Sequence, residues 1–466
     1  MWKPRKRLPQ RYCAALILVI LSITIIVYNW QYNNLNSVIN KFFRWLSPAP
    51  RTVIRLKIDH FPRWHNVTTD SCVHYFYSAF LDTRQFTGST YHIRITAILV
   101  EECMRNNASF YCLAWANLYS KKKLYRSRAH IYKSGQPARL FQTVYGQYIL
   151  SCPVPVPVAN IPRFVSVRFA NTSGSSRLFV WHSEQANETF RTTSAATSGQ
   201  QRRFLINCVS VTWNTPNPSR LIEWIELQRL WQIDHIFIHY IWLDARVWDV
   251  INHYVHLGVV SVQRMPNPFR QNRASSSKFE QFLMMSAAVN DCMYRAIPAF
   301  KYIAVFDLDE FITPVLDATY PQLIARLSKA YNHHNAGQIA SYTFPNVWFY
   351  YELLADNSSA ETLVTQKYLE RTQIAPYGYA AKSIATSNAC IAMQNHFCWH
   401  YTDGRAHVID VNVDPKYGLN HHYKACDRKP HCDNMLSQSY HDGTMLRFGP
   451  ELRINVRSVM KFLGLL

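Results

Sequence analysis

The chain has 466 residues, and a hydrophobic content of 48% excludes a largely disordered protein. This length exceeds what one ordinary core accommodates and predicts two domains beyond any membrane anchor. The formal net charge of +21, from 50 Lys and Arg against 29 Asp and Glu, is compatible with nucleic acid, membrane surfaces or small anions. The rest of the sequence selects among these partners.

The N-terminus predicts a single membrane anchor. Five lysines and arginines lie within residues 1–12, and an apolar run follows from Ala14 to Val27. Since positive charge stays on the cytoplasmic side, we expect a cytoplasmic tail at 1–12, a transmembrane signal anchor at 13–30, a stem at 31–50 and a lumenal remainder. A cleaved signal peptide is the alternative, but no small-x-small cleavage site follows Val27.

Cysteines and glycosylation sequons agree with a lumenal location. Cys13 lies at the cytoplasmic edge of the anchor, and the other ten of the 11 cysteines follow it. This even number permits complete disulfide pairing in an oxidising compartment. Sequons for N-glycosylation occur after the anchor at Asn66, Asn107, Asn171, Asn187 and Asn357. We therefore expect a protein of the secretory pathway with no nucleic-acid partner.

Residues 51–200 predict a β-rich accessory domain. Segments 91–100, 164–169 and 177–181 are rich in β-branched and aromatic residues. The alternating prolines Pro153, Pro155 and Pro157 predict an edge strand or an extended connector, because proline cannot donate to a ladder.

Strands and helices alternate in a second domain, residues 201–466. The predicted strands are 204–212, 235–240, 259–262, 302–306 and 338–344, and the predicted helices are 219–231 with Ser219 as its cap, 249–257, 277–295 and 321–332. Such alternation is typical of an α/β fold with a doubly wound, mostly parallel sheet, whose ligands bind beyond the carboxyl ends of the strands. The absence of a glycine-rich phosphate loop argues against a P-loop or G-x-G-x-x-G nucleotide site.

The apolar strand 302–306 delivers two aspartates to one point. Side chains alternate along a strand, so Asp307 and Asp309 are expected to leave its end on the same side. Paired carboxylates repel each other unless a divalent cation holds them, and such an ion leaves positions open for phosphate oxygens. The motif predicts a metal-bound diphosphate. The alternative is that both aspartates cap a following helix.

Charged residues near this motif supply further candidates. Glu310 has two interpretations, a base for an acceptor hydroxyl or an ion-pair partner of a basic neighbour such as Lys382. Arg273, Lys278 and Lys382 are candidates to stabilise a leaving diphosphate. For Arg273 and Lys278 the alternative is an exposed charge near a helix start.

Four histidines, His396, His400, His421 and His422, are candidate third metal ligands, because imidazole joins carboxylates at ions such as manganese. The alternative for each is a hydrogen-bonded structural histidine. The spacing of these histidines and the nearby cysteines matches no standard zinc pattern.

Aromatic residues C-terminal to the aspartates suit the apolar faces of sugar rings, with burial in a core as the alternative. They are Trp348, Tyr350, Tyr351, Tyr377 and Tyr379.

Five short motifs, in this order, resemble glycosyltransferase family 92. They are Glu-Trp-Ile-Glu at 223–226, Asp-His-Ile-Phe-Ile at 234–238, Phe-Asp-Leu-Asp-Glu-Phe at 306–311, Lys-Ser-Ile at 382–384 and His-His-Tyr at 421–423. The resemblance covers about 203–426 and implies a type II Golgi membrane protein with a lumenal GT-A domain. It implies an inverting enzyme that uses Mn²⁺ and a UDP-sugar. The best-known family members transfer galactose in β1,4 linkage to the core fucose of N-glycans or to galactan.

The resemblance places Asp307 and Asp309 on the metal motif, completes that motif with Glu310, and matches His396 and the His-His-Tyr segment to C-terminal landmarks. Our candidates are therefore Asp307, Asp309 and His421 for the metal, Glu310 for catalysis, and Lys382, His396, His422, Tyr423 and Arg273 for substrate binding. Two departures leave the acceptor open: the segment after Lys-Ser-Ile lacks the proline common in the family, and Cys398 and His400 are particular to this chain's subgroup. Some relatives carry a carbohydrate-binding-like domain where this chain has its β-rich region.

We therefore predict a Golgi galactosyltransferase that uses UDP-galactose and a glycan or glycoprotein acceptor. The alternatives are a transferase that uses another UDP-sugar and a membrane-tethered carbohydrate-binding protein with a degenerate site, which the intact acidic motif opposes. An aspartate-nucleophile phosphatase also ends a strand with Asp-x-Asp, but it requires Thr or Val two residues later, where this chain has Phe311.

Overall fold

The computed structural model describes most of the chain after residue 61. The described ranges are 62–69, 72–84, 90–104, 109–115, 123–140, 142–155, 162–169, 177–183, 190, 202–212, 217–270, 277–331, 338–353, 362–402, 408–426 and 438–466. The predicted tail, anchor and stem, Arg273, and the sequon residues Asn107, Asn171, Asn187 and Asn357 lie outside them, whereas Asn66 lies in the first described strand. Within these ranges no helix has the length and apolar character needed to cross a membrane.

A β-sheet is built from the described residues between 65 and 181. Its strands are β1 (His65–Thr68), β2 (Val73–Asp82), β3 (Thr90–Val100), β4 (Phe110–Trp115), β5 (Lys123–Arg128), β6 (His130–Leu140), β7 (Thr143–Pro155), β8 (Phe164–Phe169) and β9 (Arg177–Trp181), and the short helix α1 (Glu101–Met104) follows β3. The strand order is β5-β4-β8-β9-β2-β3-β7-β6, with β1 beside β2. The three strands predicted from composition are present as β3, β8 and β9.

The prolines at the end of β7 lie where the strand has one neighbour. Pairing of β7 with β3 continues to Pro155, whereas its described pairing with β6 stops at Ser151. Because proline has no N–H to donate, it is tolerated where one side of a strand is unpaired. The predicted edge position is therefore confirmed for Pro153 and Pro155, and Pro157 lies outside the described residues.

The second part of the chain alternates strands and helices. Its first elements are β10 (Arg203–Thr212), α2 (Pro218–Leu230), β11 (His235–Tyr240), α3 (Ala245–His256), β12 (Val260–Arg264), α4 (Lys278–Ala296) and β13 (Phe300–Val305). They are followed by β14 (Glu310–Pro314), α5 (Tyr320–Tyr331), β15 (Gln338–Phe344), β16 (Asn346–Tyr350), α6 (Val364–Lys367), β17 (Glu370–Arg371), β18 (Lys382–Thr386), β19 (Cys390–Met393), β20 (Cys398–Tyr401), β21 (Val408–Asn412), β22 (Gly418–Lys424), β23 (Tyr440–His441), a 3-10 helix (Thr444–Phe448) and α7 (Gly449–Phe462).

A seven-stranded mixed sheet has the order β12-β11-β10-β13-β18-β15-β21. The first four strands are parallel neighbours, β18 is antiparallel to both β13 and β15, and β21 is parallel to β15. The chain runs outward from β10 to β12 and then returns to place β13 on the other side of β10. The strand order thus reverses between β10 and β13, and the crevice beyond their carboxyl ends is the position that ligands prefer in such sheets. A smaller sheet has the order β14-β22-β16, and its strands all follow β13 in the chain.

Alternating apolar side chains bury both faces of the parallel strands. Leu205 and Val209 of β10 belong to a core shared with α2, α3 and α5, whereas Ile206 and Cys208 belong to a core shared with α4. Successive side chains of a strand point to opposite faces. Helices therefore cover both faces of the sheet, which explains why the sequences of these strands are almost continuously apolar.

Helix α4 lies between the two large sheets. One side of it packs on β10 and β13 through Val289 and Met293, and the other packs on the N-terminal sheet through Leu283, Met284 and Ala287. A disulfide between Cys208 and Cys292 fastens the helix to β10. Two hydrogen bonds attach it to the N-terminal sheet, from the Ser286 N–H to Oε1 of Gln147 at 3.0 Å and from Oγ of Ser286 to Oγ of Ser134 at 2.6 Å.

Two helix starts differ from the prediction. Helix α2 is capped by Asn217, whose side chain accepts from the Ser219 N–H, so Ser219 is inside the first turn and is not the cap. Helix α3 begins at Ala245 with Asp244 as its cap, before the predicted start at 249. In both cases an Asn or Asp oxygen further upstream satisfies the first backbone N–H groups.

The expected disulfide pairing is confirmed for the described cysteines. Four disulfides are present, Cys72–Cys103, Cys112–Cys152, Cys208–Cys292 and Cys390–Cys398. Cys426 is also disulfide-bonded, and Cys432 lies outside the described residues.

A buried ion-pair network joins the end of β2 to the turn after β18. The carboxylate of Asp82 accepts hydrogen bonds from Nε of Arg84 at 2.8 Å and from Nε of Arg94 at 3.1 Å. Arg84 also donates to the carbonyls of Ser387 and Cys390 at 3.0 and 2.8 Å. Burial opposes ionisation of Asp82, but the two guanidinium groups outweigh it and lower its pKa to about 2.

We expect Asp82→Asn to lower the free energy of unfolding by about 3–5 kcal/mol, since it leaves buried guanidinium groups without their counter-ion. A guanidinium chloride titration followed by tryptophan fluorescence measures the change. Asp414→Asn, which removes the partner of the exposed Lys416, is the control and should leave the midpoint unchanged. An unchanged midpoint for Asp82→Asn would contradict the role of the network.

Wild type and Asp82→Asn also test how the stability contribution of Asp82 depends on pH. Because the folded-state pKa of Asp82 lies below its ordinary value of 3.8, its contribution is complete above about pH 4 and is lost as the pH falls towards 2. The stability difference between wild type and Asp82→Asn should therefore shrink over that interval.

Candidate active site

The candidate site lies beyond the carboxyl ends of β10 and β13, where the strand order reverses. Ser210 lies near the end of β10, and Asp307 comes shortly after β13. Oγ of Ser210 donates a hydrogen bond of 2.6 Å to Oδ1 of Asp307. The ends of two adjacent parallel strands are thus joined at the crevice where a ligand is expected.

A tight turn separates the three carboxylates. The Glu310 N–H donates to the carbonyl of Asp307 at 3.2 Å, and Nε1 of the buried Trp224 donates to the carbonyls of both residues, at 3.0 Å for Asp307 and 3.1 Å for Glu310. The turn leaves Asp309 at its tip with 48% of the side chain exposed and folds Glu310 inward with 4% exposed. The three acids therefore differ in solvent access although they are close in sequence.

Lys382 is a buried cation at the centre of the cluster. Its Nζ lies 3.0 Å from Oδ2 of Asp307, 2.9 Å from Oε2 of Glu310 and 3.1 Å from the carbonyl oxygen of Asn395. An ammonium group has three N–H donors, so each has an acceptor. Burial opposes protonation of Lys382, but the two carboxylates outweigh it and raise its pKa. Of the two interpretations of Glu310, the ion pair with Lys382 is present.

Asp307 is held in one orientation. Oδ1 accepts from Ser210, and Oδ2 accepts from Lys382 and from Nδ2 of Asn395, the latter at 3.2 Å. Burial opposes ionisation of Asp307, but the charge of Lys382 and these hydrogen bonds lower its pKa well below the usual range. The residue is an ionised carboxylate with 29% of its side chain exposed.

His422 connects Glu310 to Asp309. In the smaller sheet Glu310 of β14 is directly opposite His422 of β22. Nδ1 of His422 lies 3.0 Å from Oε1 of Glu310, and Nε2 lies 3.2 Å from Oδ2 of Asp309. Burial opposes protonation of His422, but Glu310 and Asp309 outweigh it and raise its pKa. Burial also raises the pKa of Glu310, against the opposing effect of Lys382 and His422.

His421 lies on the other face of β22. Its ring is fully buried 4.8 Å from the ring of Phe349, and neither ring nitrogen has a hydrogen-bond partner among the described residues. Burial lowers its pKa to about 4. Because strand residues alternate between faces, the register that brings His422 to Asp309 turns His421 away. The histidine beside the aspartates is therefore His422, whereas the sequence analysis chose His421 as the metal ligand.

His396 and His400 have structural contacts. Nδ1 of His396 lies 2.8 Å from the carbonyl oxygen of Ala381, and burial, reinforced by the charge of Lys382, lowers its pKa to about 4. The ring of His400 packs 5.3 Å from Tyr132 of the N-terminal sheet. Both contacts fit the alternative interpretation of these histidines.

Tyr423 contributes its backbone to the site. Its N–H donates to the carbonyl of Asp309 at 2.9 Å, while its buried ring stacks on Phe349 at 4.6 Å. Lys278 is exposed in the first turn of α4, as its alternative interpretation stated.

A cavity of about 490 Å³ opens beside the aspartates. Strand β10 from Val209 to Thr212 forms part of its lining, as do Gln281 of α4 and the turn from Asp307 to Asp309. Nε2 of Gln281 is buried and has no hydrogen-bond partner in the described part of the chain. The side-chain NH₂ group of Gln281 is therefore a hydrogen-bond donor available to a polar ligand in this cavity.

Two cations also line this cavity, Arg220 and Lys424. The guanidinium of Arg220 lies 4.7 Å from the ring centre of Tyr351 and donates to its hydroxyl at 3.2 Å. Carboxylates and cations in one cavity match a diphosphate that carries a metal ion, since the cations contact phosphate oxygens and the carboxylates contact the metal.

Asp309 and His422 are the side chains best placed to hold such an ion. Their Oδ2 and Nε2 atoms lie 3.2 Å apart, and two ligands of one divalent ion at roughly 2.0–2.2 Å lie about 3 Å apart. The described ranges contain no group of three or more His, Cys, Asp or Glu side chains arranged for a metal. The residues therefore fit an ion that takes two protein ligands and completes its shell with phosphate oxygens and water.

Three residues of the site, Ser210, Arg220 and Asn395, were not predicted from the sequence. Ser210 lies near the end of the first strand of a strand-helix-strand unit, and Arg220 lies in the first turn of the helix that follows. Ligands of α/β sheets bind at such strand ends and helix starts. Position alone could have identified these two residues. Asn395 follows β19, and its contact with Asp307 depends on tertiary packing that no local pattern announces.

Comparison with known proteins supports a relationship over the same part of the chain. A family model described as Glycosyltransferase family 92 matches residues 203–455, which is more than half of the 466 residues. No curated protein matches the chain significantly. The matched range contains all strands that carry the acidic cluster.

We expect Lys382→Met to lower the free energy of unfolding by about 3–5 kcal/mol, because two carboxylates stay near the protein interior without their cation. Glu310→Gln in the same chain removes one of these charges. The double variant should therefore lose less than the sum of the single variants, with a coupling energy of about 0.5–3 kcal/mol. Denaturant titration of all four proteins measures the cycle, and additive losses would contradict the central role of Lys382.

Proposed function

The chain belongs to glycosyltransferase family 92, and from this membership we propose that it is a metal-dependent, inverting galactosyltransferase with its active site at Asp307–Glu310. The proposed donor is UDP-galactose. The proposed acceptor is a glycan on a glycoprotein, with a β1,4 linkage to the core fucose of an N-glycan as one product. We also propose a GT-A fold for residues 201–466 and a single-pass type II topology in the Golgi membrane.

The observation that carries the proposal is that Asp309, which contacts His422 at 3.2 Å, lines a cavity that Arg220 and Lys424 also line. The acidic cluster has three carboxylates and one buried ammonium group, so it retains negative charge when His422 is neutral. A divalent cation compensates such a charge. Arg220 and Lys424 then suit the phosphate oxygens of a nucleotide diphosphate.

We propose Mn²⁺ as the ion, held by Asp309 and His422. When bound, it would supply a Lewis acid that neutralises the charge developing on the departing diphosphate. Imidazole and carboxylate are a ligand pair that manganese accepts. Asp307, whose oxygens accept from Ser210, Lys382 and Asn395, orients the turn that carries Asp309.

Glu310 has a positioning role in this proposal. One of its oxygens faces Lys382 and the other faces His422, and the side chain is 4% exposed. It keeps His422 next to Asp309. An inverting displacement requires one base for the acceptor hydroxyl, and Glu310 could serve as that base only after His422 turned away from it.

Secretory-pathway features support the proposed location. Disulfides are present within the described residues, and such bonds form and persist in oxidising compartments. The sequons after the predicted anchor agree with a lumenal catalytic domain.

The proposal predicts that Asp309→Ala abolishes transfer while the chain still folds, because the side chain is half exposed at the tip of a turn. Activity is measured as release of UDP from a panel of UDP-sugars, with and without Mn²⁺, and then with glycan acceptors. Asp249→Ala removes an exposed carboxylate of α3 outside the site and is the control. Full activity of Asp309→Ala, or turnover that a chelator does not affect, would reject the metal assignment. Turnover only with another UDP-sugar would replace galactose as the donor.

The two adjacent histidines provide a matched comparison. We expect His422→Gln to raise the Mn²⁺ concentration needed for half-maximal activity about tenfold or more, because it removes a ligand. His421→Gln should leave that concentration unchanged, because His421 lies on the other face of β22. Mn²⁺ titrations of UDP-sugar hydrolysis measure both values, and the opposite order of effects would move the metal site to His421.

A further inference from the structure

A second cleft of about 220 Å³ lies beside the smaller sheet. Its described lining includes Trp348, Tyr379, Gln373 and Gln438, and none of the described residues that line it is charged. The volume is below the roughly 300–1,000 Å³ of ordinary ligand pockets. The cleft therefore suits a small neutral group and does not suit a phosphate or a whole nucleotide sugar.

The aromatic wall of the cleft consists of two rings at a steep angle. The ring centres of Trp348 and Tyr379 lie 5.9 Å apart with an interplanar angle of 63°. Trp348 is buried in β16, whereas Tyr379 is 57% exposed. A turn closed by the Tyr379 N–H to the carbonyl of Pro376 at 3.0 Å holds Tyr379 in place, and Gly378 supplies the positive φ of 82° that this turn requires.

Two glutamine amides form the polar side of the cleft. Nε2 of Gln373 donates to Oε1 of Gln438, so each amide fixes the orientation of the other. This pairing leaves a carbonyl oxygen on Gln373 and an NH₂ group on Gln438 for other partners. Flat aromatic faces beside oriented amides are the two elements that a pyranose ring needs, because its C–H face is apolar and its hydroxyls are polar.

The strand register connects this cleft to the acidic cluster. Glu310 of β14 is opposite His422 of β22, and His422 is opposite Trp348 of β16. Paired residues on neighbouring strands point to the same face, and neighbouring strands lie about 4.8 Å apart. Trp348 is therefore one strand away from the histidine that contacts Asp309. Trp348 of the cleft therefore belongs to the same row of side chains as Glu310 and His422.

We propose that this cleft is a subsite for one pyranose ring of the acceptor glycan, stacked on Tyr379 and Trp348 and hydrogen-bonded by Gln373 and Gln438. The subsite rests on the proposed function, because Trp348 is paired with His422, the histidine that contacts Asp309 in the proposed active site. It assigns acceptor recognition to Trp348, Tyr379, Gln373 and Gln438, which lie outside the acidic motif.

The test compares Tyr379→Ala with Tyr377→Ala in the full-length protein in detergent. Tyr377 is on the same turn and 50% exposed but does not line the cleft, so it is a matched control. Binding of methyl fucoside, methyl galactoside and methyl N-acetylglucosaminide is measured by saturation-transfer NMR without metal or UDP-sugar. We expect Tyr379→Ala to raise the Kd of the bound glycoside about tenfold, since an aromatic contact contributes up to about 1.5 kcal/mol.

Kinetics supply the second readout. Tyr379→Ala should raise KM for the glycan acceptor about tenfold and leave KM for the UDP-sugar and Mn²⁺-dependent donor hydrolysis unchanged. Tyr377→Ala should change none of these three quantities, and Tyr379→Phe should retain binding of the glycoside. Wild-type protein that binds no glycoside, or equal effects of the two alanine variants, would overturn the subsite. Absence of donor hydrolysis in wild type would overturn the proposed function instead, whatever the NMR result.

Discussion

The site depends on one buried ammonium group. Lys382, the first residue of β18, brings together the turn after β13, the first residue of β14 and the loop after β19, because each of these three segments supplies one of its acceptors. Without this charge, the buried Glu310 and the partly buried Asp307 would repel each other. The ammonium group thus permits two acids to remain close together and leaves a third, Asp309, at the exposed tip of the turn.

The three carboxylates of the cluster have different roles because they differ in solvent access. The oxygens of Asp307 and Glu310 contact Ser210, Lys382, Asn395 and His422, which fixes the orientation of both side chains. Asp309 is half exposed at the cavity and is available to a ligand. The small sheet β14-β22-β16 then extends the same row of side chains to Trp348. Strand register alone therefore places Glu310, His422 and Trp348 side by side on one face of this sheet.

Sequence patterns predicted the secondary-structure elements well, but they did not predict the side-chain contacts at the site. The apolar run before Asp307 identified a central strand because both of its faces are covered by helices, and the acidic motif located the site. Orientation could not be predicted, since Glu310 turns inward through a backbone hydrogen bond and indole contacts made by Trp224. The choice between His421 and His422 depended on the register of β22, which is set by pairing with β14 and β16. Asn395 joins the cluster through packing between segments that are far apart in the chain.

Helix α4 has an additional consequence. Gln281 and Met285 line the large cavity, while Leu283, Met284 and Ala287 on the next turns pack on the N-terminal sheet. The same helix therefore forms part of the cavity wall and packs against that sheet. An N-terminal truncation that begins near residue 200 would expose one side of this helix to solvent, because the N-terminal sheet and the α/β part share this hydrophobic core.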